Sequence, residues 1–183
     1  MPNQIRLVAW SDADLDLLRR VNTPEMWKYL GGPETEEKVL QRHQRYLPAN
    51  WTGSGGMFRV ELIPSAEPVG YVGYWERDEH GETVYETGWH VLPEFQGRGI
   101  ATAAMRALLE RAAAQPGPRA MHAYPSVDNE PSNALCRTLG FTLLGATDFE
   151  FPPGHRLRCN DWLFDLNSPG AGSGSRAPEG GCA

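Results

Sequence analysis

The chain contains 183 residues, with 17 basic and 23 acidic side chains and a formal net charge of −6. This balance argues against a nucleic-acid partner, because phosphate backbones are held mainly by lysine and arginine. Residues 1–6 form no apolar leader segment, and no apolar run is long enough to cross a bilayer. Three cysteines, an odd number, do not suggest a disulfide framework. We therefore expect a cytoplasmic protein that binds neither nucleic acid nor membrane.

A change of composition near residue 166 marks the expected domain boundary. Residues 1–166 are long enough to fold as a single domain around one core. Residues 167–183 read N-S-P-G-A-G-S-G-S-R-A-P-E-G-G-C-A. They offer too little apolar surface to offset the entropy of ordering the chain. We predict a disordered tail over this segment.

The first part of the domain predicts one strand followed by helices. Residues 5–10 alternate between apolar and polar side chains as a strand does. Ser11, with Asp14 three residues later, has the pattern of a capping box that starts a helix. A short helix over residues 25–30 and a longer one over residues 36–46 are expected next.

The rest of the domain predicts a meander followed by alternating helices and strands. Three alternating segments separated by turn signals form the meander, at residues 57–62, 69–75 and 83–91. The remaining elements are a helix over residues 99–114, a strand over 119–124, a helix over 130–139, and strands over 142–150 and 157–166. With the first strand, this order predicts a mixed α/β sheet.

Residues 89–102, W-H-V-L-P-E-F-Q-G-R-G-I-A-T, predict a strand, a glycine-containing loop and the start of a helix. A helix N-terminus offers unpaired backbone N–H groups and the positive end of the helix dipole. Gly97 and Gly99 carry no Cβ, so an anion can approach the backbone closely, and Arg98 adds a positive charge. The segment therefore predicts a pyrophosphate-binding loop.

Three known phosphate-binding motifs could account for this loop. A Walker loop requires a Gly-Lys pair, which the chain lacks. The dinucleotide fingerprint would use Thr102 as its third small residue, but residues 115–119 contain no acidic residue where that motif places one. The pattern Q/R-x-x-G-x-G/A matches Gln96, Gly99 and Ala101. An ordinary glycine-rich turn between a strand and a helix is the alternative.

At these residues the chain resembles the GNAT superfamily of acetyl-CoA-dependent N-acetyltransferases. A second segment, residues 129–141 (N-E-P-S-N-A-L-C-R-T-L-G-F), resembles the family segment N-x-x-S/A that ends in L-G-F. The resemblance covers residues 7–164 and is closest to the branch that includes ribosomal-protein N-terminal acetyltransferases. It implies the GNAT fold, with a mixed central sheet of about seven strands and helices on both faces.

The resemblance also implies acetyl-CoA as the acetyl donor and a set of residues that bind it. Backbone groups of the strand end would pair with the pantetheine arm, the glycine loop would hold the pyrophosphate, and the start of the second helix would contact the pantetheine and nucleotide side. A helix cap alone is the alternative role for Asn129. The implied residues are Val91, Leu92, Gln96, Gly97, Arg98, Gly99, Ile100, Ala101, Thr102, Asn129 and Ser132. No metal site is expected, since His155 and Cys159 lack a second ligand pair.

Acetyl transfer to an amine requires removal of a proton from an ammonium group, directly or through water. The family often uses a Glu on the strand before the glycine loop, two residues ahead of a Gly. Glu86 occupies that position, and we expect it to be the general base, with a carboxylate on the sheet surface as the alternative. A backbone N–H near Val91 would meet the charge that develops on the thioester oxygen.

The general acid is less clear from the sequence. Many relatives carry a Tyr on the second helix that protonates the departing thiolate, but the matching residue here is Cys136. A thiol can serve as an acid, although Cys is more often a small buried apolar residue. Tyr124 is a second candidate, and departure of the thiolate without protonation is a third.

The leading hypothesis is an enzyme that moves an acetyl group from acetyl-CoA to a primary amine of a small molecule or a protein N-terminus. Its alternative is an acyl-CoA-binding module without turnover, and a homodimer remains open. Acidic residues on the central strands would suit a cationic acceptor or simply face solvent. Aromatic residues near the N-terminus would line a substrate pocket or pack in the core. These residues are Glu61, Glu76, Glu82 and Glu86, and Trp27, Tyr29 and Tyr46.

Overall fold

The computed structural model describes residues 4–51, 53–151 and 153–168. The tail predicted over residues 167–183 lies outside these residues, apart from Asn167 and Ser168. Those two residues continue a turn after the last strand, because the Ser168 N–H donates to the Asp165 carbonyl (3.0 Å).

Seven strands and four α-helices make up the described chain, with short 3-10 turns at residues 12–14, 48–50 and 93–95. The strand meander and the helix–strand alternation follow the predicted order. The elements are β1 (Ile5–Ala9), α1 (Leu15–Val21), α2 (Glu36–Tyr46), β2 (Gly55–Leu62), β3 (Pro68–Glu79), β4 (Glu82–Val91), α3 (Ile100–Ala113), β5 (Ala120–Ala123), α4 (Glu130–Leu139), β6 (Thr142–Glu150) and β7 (Arg156–Asp165).

The strands form one mixed sheet in the order β1-β2-β3-β4-β5-β7-β6. Neighbouring strands are antiparallel except β4 and β5, which run parallel. A parallel neighbour requires a crossover connection, and α3 supplies it. The predicted mixed sheet of about seven strands is therefore confirmed.

Helices cover both faces of this sheet, as predicted. Adjacent residues on a strand point to opposite faces, as Tyr71 and Val72 do on β3. The Tyr71 ring packs against Tyr46 of α2, with the ring centroids 5.9 Å apart. On the other face Phe58, which pairs with Val72, lies under the guanidinium of Arg111 from α3 (4.5 Å).

Local sequence signals account for the helix starts. Ser11 and Asp14 form the predicted capping box, in which the Ser11 N–H donates to the Asp14 carboxylate (2.8 Å). Thr35 caps α2, because its hydroxyl oxygen accepts the Lys38 N–H (3.4 Å).

The short helix predicted over residues 25–30 is wrong. The Trp27 N–H donates to the Thr23 carbonyl (3.0 Å), which closes one helical turn, and the Leu30 N–H then donates to the Trp27 carbonyl (2.9 Å). Gly31 and Gly32 follow with φ of +85° and +91°. Because that left-handed backbone cannot continue a helix, the segment remains a series of turns. Among the described residues, no helix is long and apolar enough to cross a membrane.

Candidate active site

The cleft that defines the candidate site opens where β4 and β5 separate. These strands pair only through Tyr85 with Met121 and through Glu86 with His122. Beyond Glu86 the β5 side of β4 is an open edge, and β4 residues from Glu86 to Val91 line a cleft of about 1370 Å³. A divergence of two parallel strands thus supplies both the space and an unpaired backbone edge.

Val91 presents a backbone N–H to this open edge. The Leu92 N–H donates to the Val69 carbonyl on β3 (2.9 Å), and ladder bonds alternate along an antiparallel strand. The backbone groups of Val91 therefore point away from β3, and its carbonyl accepts the Gln96 side-chain amide (2.8 Å). Leu92 was expected to share this role, but its N–H and its carbonyl, which accepts the Phe95 N–H (2.9 Å), are both used within the fold.

The glycine loop follows directly. Gly97 and Gly99 have φ of +72° and +75°, in the left-handed region that favours glycine. A Cβ atom built on either residue would meet no atom within 4 Å. The space above both glycines is therefore open to a ligand, and it is continuous with the cleft.

The N-terminus of α3 points its free amides into the same region. The Ala103 N–H donates to the Gly99 carbonyl (3.0 Å) and closes the first turn. The amides of Ile100, Ala101 and Thr102 precede it and have no intrahelical acceptor. All three residues line the cleft, so backbone donors and the positive helix end face the cleft, where they could attract an anion.

The side chain of Arg98 folds back on its own loop. Its guanidinium donates to the Glu94 carbonyl (2.7 Å) and lies over the Phe95 ring (5.3 Å). Of the predicted loop residues, Gln96, Gly97 and Gly99 line the cleft. The loop therefore presents backbone groups to the cleft, while the Arg98 side chain folds back on the loop.

The second predicted segment closes the cleft from the β5 side. The Asn129 side-chain oxygen accepts the Ser132 N–H (3.3 Å), and both residues line the cleft, so the cap and the cleft position coincide. Asn133, which sequence reasoning did not single out, is 2% exposed. Its amide donates to the Ser126 and Asn129 carbonyls (2.9 and 2.8 Å), and its oxygen accepts the Trp162 indole N–H (2.8 Å). Asn133 thus anchors the turn that carries Asn129.

Glu86 lies in the cleft and forms an ion pair. The Arg77 guanidinium donates to the Glu86 carboxylate (3.0 Å) and also contacts Glu79 (3.3 Å). Burial raises the pKa of Glu86, and the charge and hydrogen bond of Arg77 only partly oppose that rise. A carboxylate with a raised pKa is a stronger base than an ordinary glutamate and is suited to accept a proton when ionised.

Tyr124 lies beside this pair and lines the cleft. Its hydroxyl donates to Glu79 (3.4 Å), and its ring stacks on Phe149 (4.9 Å) with the Arg77 guanidinium 4.7 Å from its centroid. Burial and the nearby charge of Asp161 raise the pKa of Tyr124. Its hydroxyl therefore stays protonated at neutral pH and can donate a proton or a hydrogen bond.

Cys136 lies in the hydrophobic core rather than in the cleft. It is 0% exposed, and burial raises the pKa of its thiol to about 12. Its helix neighbours Leu135 and Thr138 line the cleft, whereas Cys136 is not among the described lining residues. This placement favours the apolar role over the acid role.

Aromatic side chains build the other half of the cleft. Trp27, Tyr29 and Tyr46 all line it, as one of the two sequence alternatives expected. Trp27 is also 3% exposed and stacks on His90, with the ring centroids 5.8 Å apart. Packing and lining are therefore combined in the same side chains.

A buried ion pair supports this aromatic half. The Arg42 guanidinium donates twice to the Glu34 carboxylate (2.8 and 2.5 Å). The same guanidinium lies over the rings of Trp27 (5.0 Å), Tyr46 (5.9 Å) and Phe151 (5.5 Å). Burial opposes the charge of Arg42, but the bonds to Glu34 prevail and its pKa is raised. The cation is permanent, and its charge is compensated inside the protein.

His90 is uncharged between these groups. Its ring packs against Tyr71, with the centroids 4.9 Å apart. Burial and the charge of Arg42 lower the pKa of His90 to about 4. The imidazole is therefore neutral at physiological pH. Among the described residues, no group of three or more His, Cys, Asp and Glu side chains is arranged to hold a metal.

The sheet order, the divergence of β4 and β5 and the glycine loop define an acyltransferase of the GNAT fold. Residues 4–142 match the family model described as an acetyltransferase (GNAT) domain. The chain belongs to this family of acetyltransferases.

Solved structures with the same fold act on different acceptors. A GNAT-family acetyltransferase from Bacillus anthracis is 20% identical, with a TM-score of 0.74 over 92% of this chain and 98% of that one. An acetyltransferase from Salmonella typhimurium that modifies the N-terminal serine of ribosomal protein L7/L12 is 21% identical, with a TM-score of 0.71 over 88% and 94%. A spermidine N-acetyltransferase from Vibrio cholerae, in complex with CoA and spermine, is 19% identical, with a TM-score of 0.72 over 90% and 96%.

Proposed function

We propose that this protein transfers an acetyl group from acetyl-CoA directly to a primary amine. One observation carries the proposal. A single cleft joins an anion site built from backbone amides, an open strand edge at Val91 and a partly neutralised carboxylate, Glu86. Direct transfer requires a continuous path between the donor site and the amine site, because the two substrates must meet without a covalent enzyme intermediate.

Chain residues would hold the donor along this path. The amides from Gly97 to Thr102 bind the pyrophosphate, while Asn129 and Ser132 contact the neighbouring arm from the α4 side. The Val91 N–H donates to the thioester oxygen and stabilises the negative charge that develops there during attack.

The amine would react on the Glu86 side of this donor. Glu86 takes one proton from the acceptor, directly or through water, so that the nitrogen lone pair can attack the thioester carbon. The carbon–nitrogen bond forms and the carbon–sulfur bond breaks. Tyr124 donates a hydrogen bond to the departing thiolate, which takes its proton from solvent, and the products are an acetamide and CoA.

Mass spectrometry tests this proposal most simply. The protein is incubated with acetyl-CoA and a panel of polyamines, aminoglycosides, amino acids and peptides with free N-termini. We expect the mass of one acetyl group on at least one acceptor, with turnover that depends on Glu86. If no amine is modified although calorimetry shows acetyl-CoA binding, the enzyme proposal fails in favour of a binding module without turnover.

A further inference from the structure

Four buried polar side-chain atoms in the described chain have no hydrogen-bond partner, and all four belong to residues that line the cleft. They are the indole N–H groups of Trp27 and Trp51, the Tyr71 hydroxyl and Nδ1 of His90. An unpaired buried polar group is destabilising, and most such groups in proteins are paired. Because all four belong to residues that line one cleft, we infer that a bound molecule supplies their partners.

The chemistry of these atoms limits what that molecule can be. An indole N–H only donates a hydrogen bond, and a tyrosine hydroxyl or a neutral imidazole can also donate. The missing partners at Trp27 and Trp51 must therefore be acceptor atoms, such as carbonyl oxygens. An ammonium group only donates, so a polyamine chain would leave both indoles unpaired.

Two carboxylates in or beside the cleft are already paired with arginines. The Glu34 carboxylate is already bound twice by the buried Arg42, and Glu86 is paired with Arg77. Of the other acidic residues on the central strands, Glu61 lies between Arg6 and Arg59, at 2.6 Å from each. Two of the four carboxylates that suggested a cationic acceptor, Glu61 and Glu86, are therefore paired with arginines within the fold. Glu76, which also lines the cleft, is bound by Ser54 instead.

The walls of this half are suited to an apolar group. Rings of Trp27, Tyr46, Tyr71 and Phe151 surround the Arg42 side chain. Such a surface gains free energy by covering a planar or branched apolar side chain. An acceptor that satisfies the indoles and these walls has an amine, a nearby carbonyl and an apolar side chain.

We propose that the acceptor is an α-amino acyl compound with an aromatic or large apolar side chain, rather than a polyamine. This inference rests on the proposed acetyl transfer and specifies its acceptor. The carbonyl oxygen pairs with the buried indole donors, and the side chain packs on the aromatic walls. A free amino acid and a peptide N-terminus share this chemistry.

The test compares acceptors that differ by one group. Phenylalaninamide has the amine, the carbonyl and the ring, phenethylamine lacks the carbonyl, and spermidine has only amines. We expect kcat/KM, expressed per neutral amine, to be at least about tenfold higher for phenylalaninamide than for either of the others. Phenylalanine with a free carboxylate, compared with phenylalaninamide, shows whether the source is an amino acid or a peptide-like amide.

The variant Trp27→Phe tests whether the preference for phenylalaninamide depends on the indole N–H of Trp27. Trp27→Phe keeps a ring but removes the N–H, so we expect about a tenfold loss of kcat/KM for phenylalaninamide and little change for phenethylamine. Tyr74→Phe, which removes a buried hydroxyl on β3 outside this cleft, serves as the control and should leave both values unchanged.

The possible failures can be told apart. Equal or faster transfer to spermidine or phenethylamine contradicts the acceptor class and leaves the proposed acetyl transfer intact. An equal loss for both aromatic probes in Trp27→Phe contradicts the role of the indole N–H. No transfer to any of these probes, with transfer to another amine of the panel, contradicts the acceptor class alone. No transfer to any amine of the panel contradicts the proposed function as well.

Discussion

The two halves of the cleft are built in different ways. The donor half consists of backbone groups from one continuous segment, in which Gly97 and Gly99 leave open space above the start of α3. The acceptor half consists of side chains from distant segments, such as Trp27, Arg42 and Tyr71, packed against one another. A backbone site tolerates changes of side chain that keep the turn, whereas a packed side-chain site changes with each substitution. This difference explains how one fold can keep its donor while its acceptors vary.

The largest effect is expected at Glu86, which lies where the two halves of the cleft meet. Glu86→Gln removes the proton acceptor but keeps the shape, so we expect kcat to fall about 10²- to 10⁴-fold while the acetyl-CoA Kd changes little. Steady-state kinetics and calorimetry measure the two quantities. Glu82→Gln, on the same strand but exposed, is the matched control. An unchanged rate in Glu86→Gln would show that the base lies elsewhere.

The proposed donor half of the cleft is tested by adding a single side-chain methyl group at Gly99. Gly99→Ala places a Cβ in the proposed path of the pyrophosphate, and we expect the acetyl-CoA Kd to rise about tenfold or more. Gly140→Ala provides the same kind of strain outside the cleft, since Gly140 has φ of +87° and open space around its Cβ position. Both variants should lose roughly 1–2 kcal/mol of stability. Equal Kd values in the two variants would contradict the anion site.

Arg77 is expected to set the pH at which Glu86 becomes ionised. Glu86 must be ionised to accept a proton, so activity rises as pH increases through its pKa. Arg77→Met removes the charge that opposes the burial-driven rise of that pKa, and we expect the acidic limb of the kcat/KM profile to move to higher pH. Activity well above this limb should be retained. Arg158→Met, which breaks an exposed pair with Asp148, should leave the limb in place. If the acidic limb of the kcat/KM profile is unchanged in Arg77→Met, Glu86 is not the group that accepts the proton.

The smallest effect is expected at Cys136. Cys136→Ala removes a buried thiol whose pKa is raised to about 12, so kcat should stay within about twofold, while stability falls by roughly 1 kcal/mol. Thermal unfolding and initial rates measure both. A tenfold fall in kcat with unchanged acetyl-CoA affinity would restore the thiol as the general acid.

The backbone half of the cleft could be predicted from the sequence better than the side-chain half. The glycine loop and the cap at Asn129 are local patterns, and the helix starts predicted from them agree with the structure. Most of the residues predicted there line the cleft, but Leu92 and Arg98 do not. The Arg77–Glu86 pair was also within reach, because the hairpin register that pairs Trp75 with Glu86 puts Arg77 on the same face. The Arg42–Glu34 pair over Trp27 depends on how turns and α2 pack against the sheet, which no local pattern encodes. Likewise, helical spacing in α4 could not tell whether Cys136 faces the core or the cleft.

The central claim is that the backbone half binds the donor and the side-chain half selects the acceptor. The most direct test measures two constants, the acetyl-CoA Kd and the KM for phenylalaninamide, in Gly99→Ala and Trp27→Phe. The account predicts that Gly99→Ala raises only the Kd and that Trp27→Phe raises only the KM, each by about tenfold. If each variant changes both constants to a similar extent, the cleft is not divided in this way and the account is contradicted.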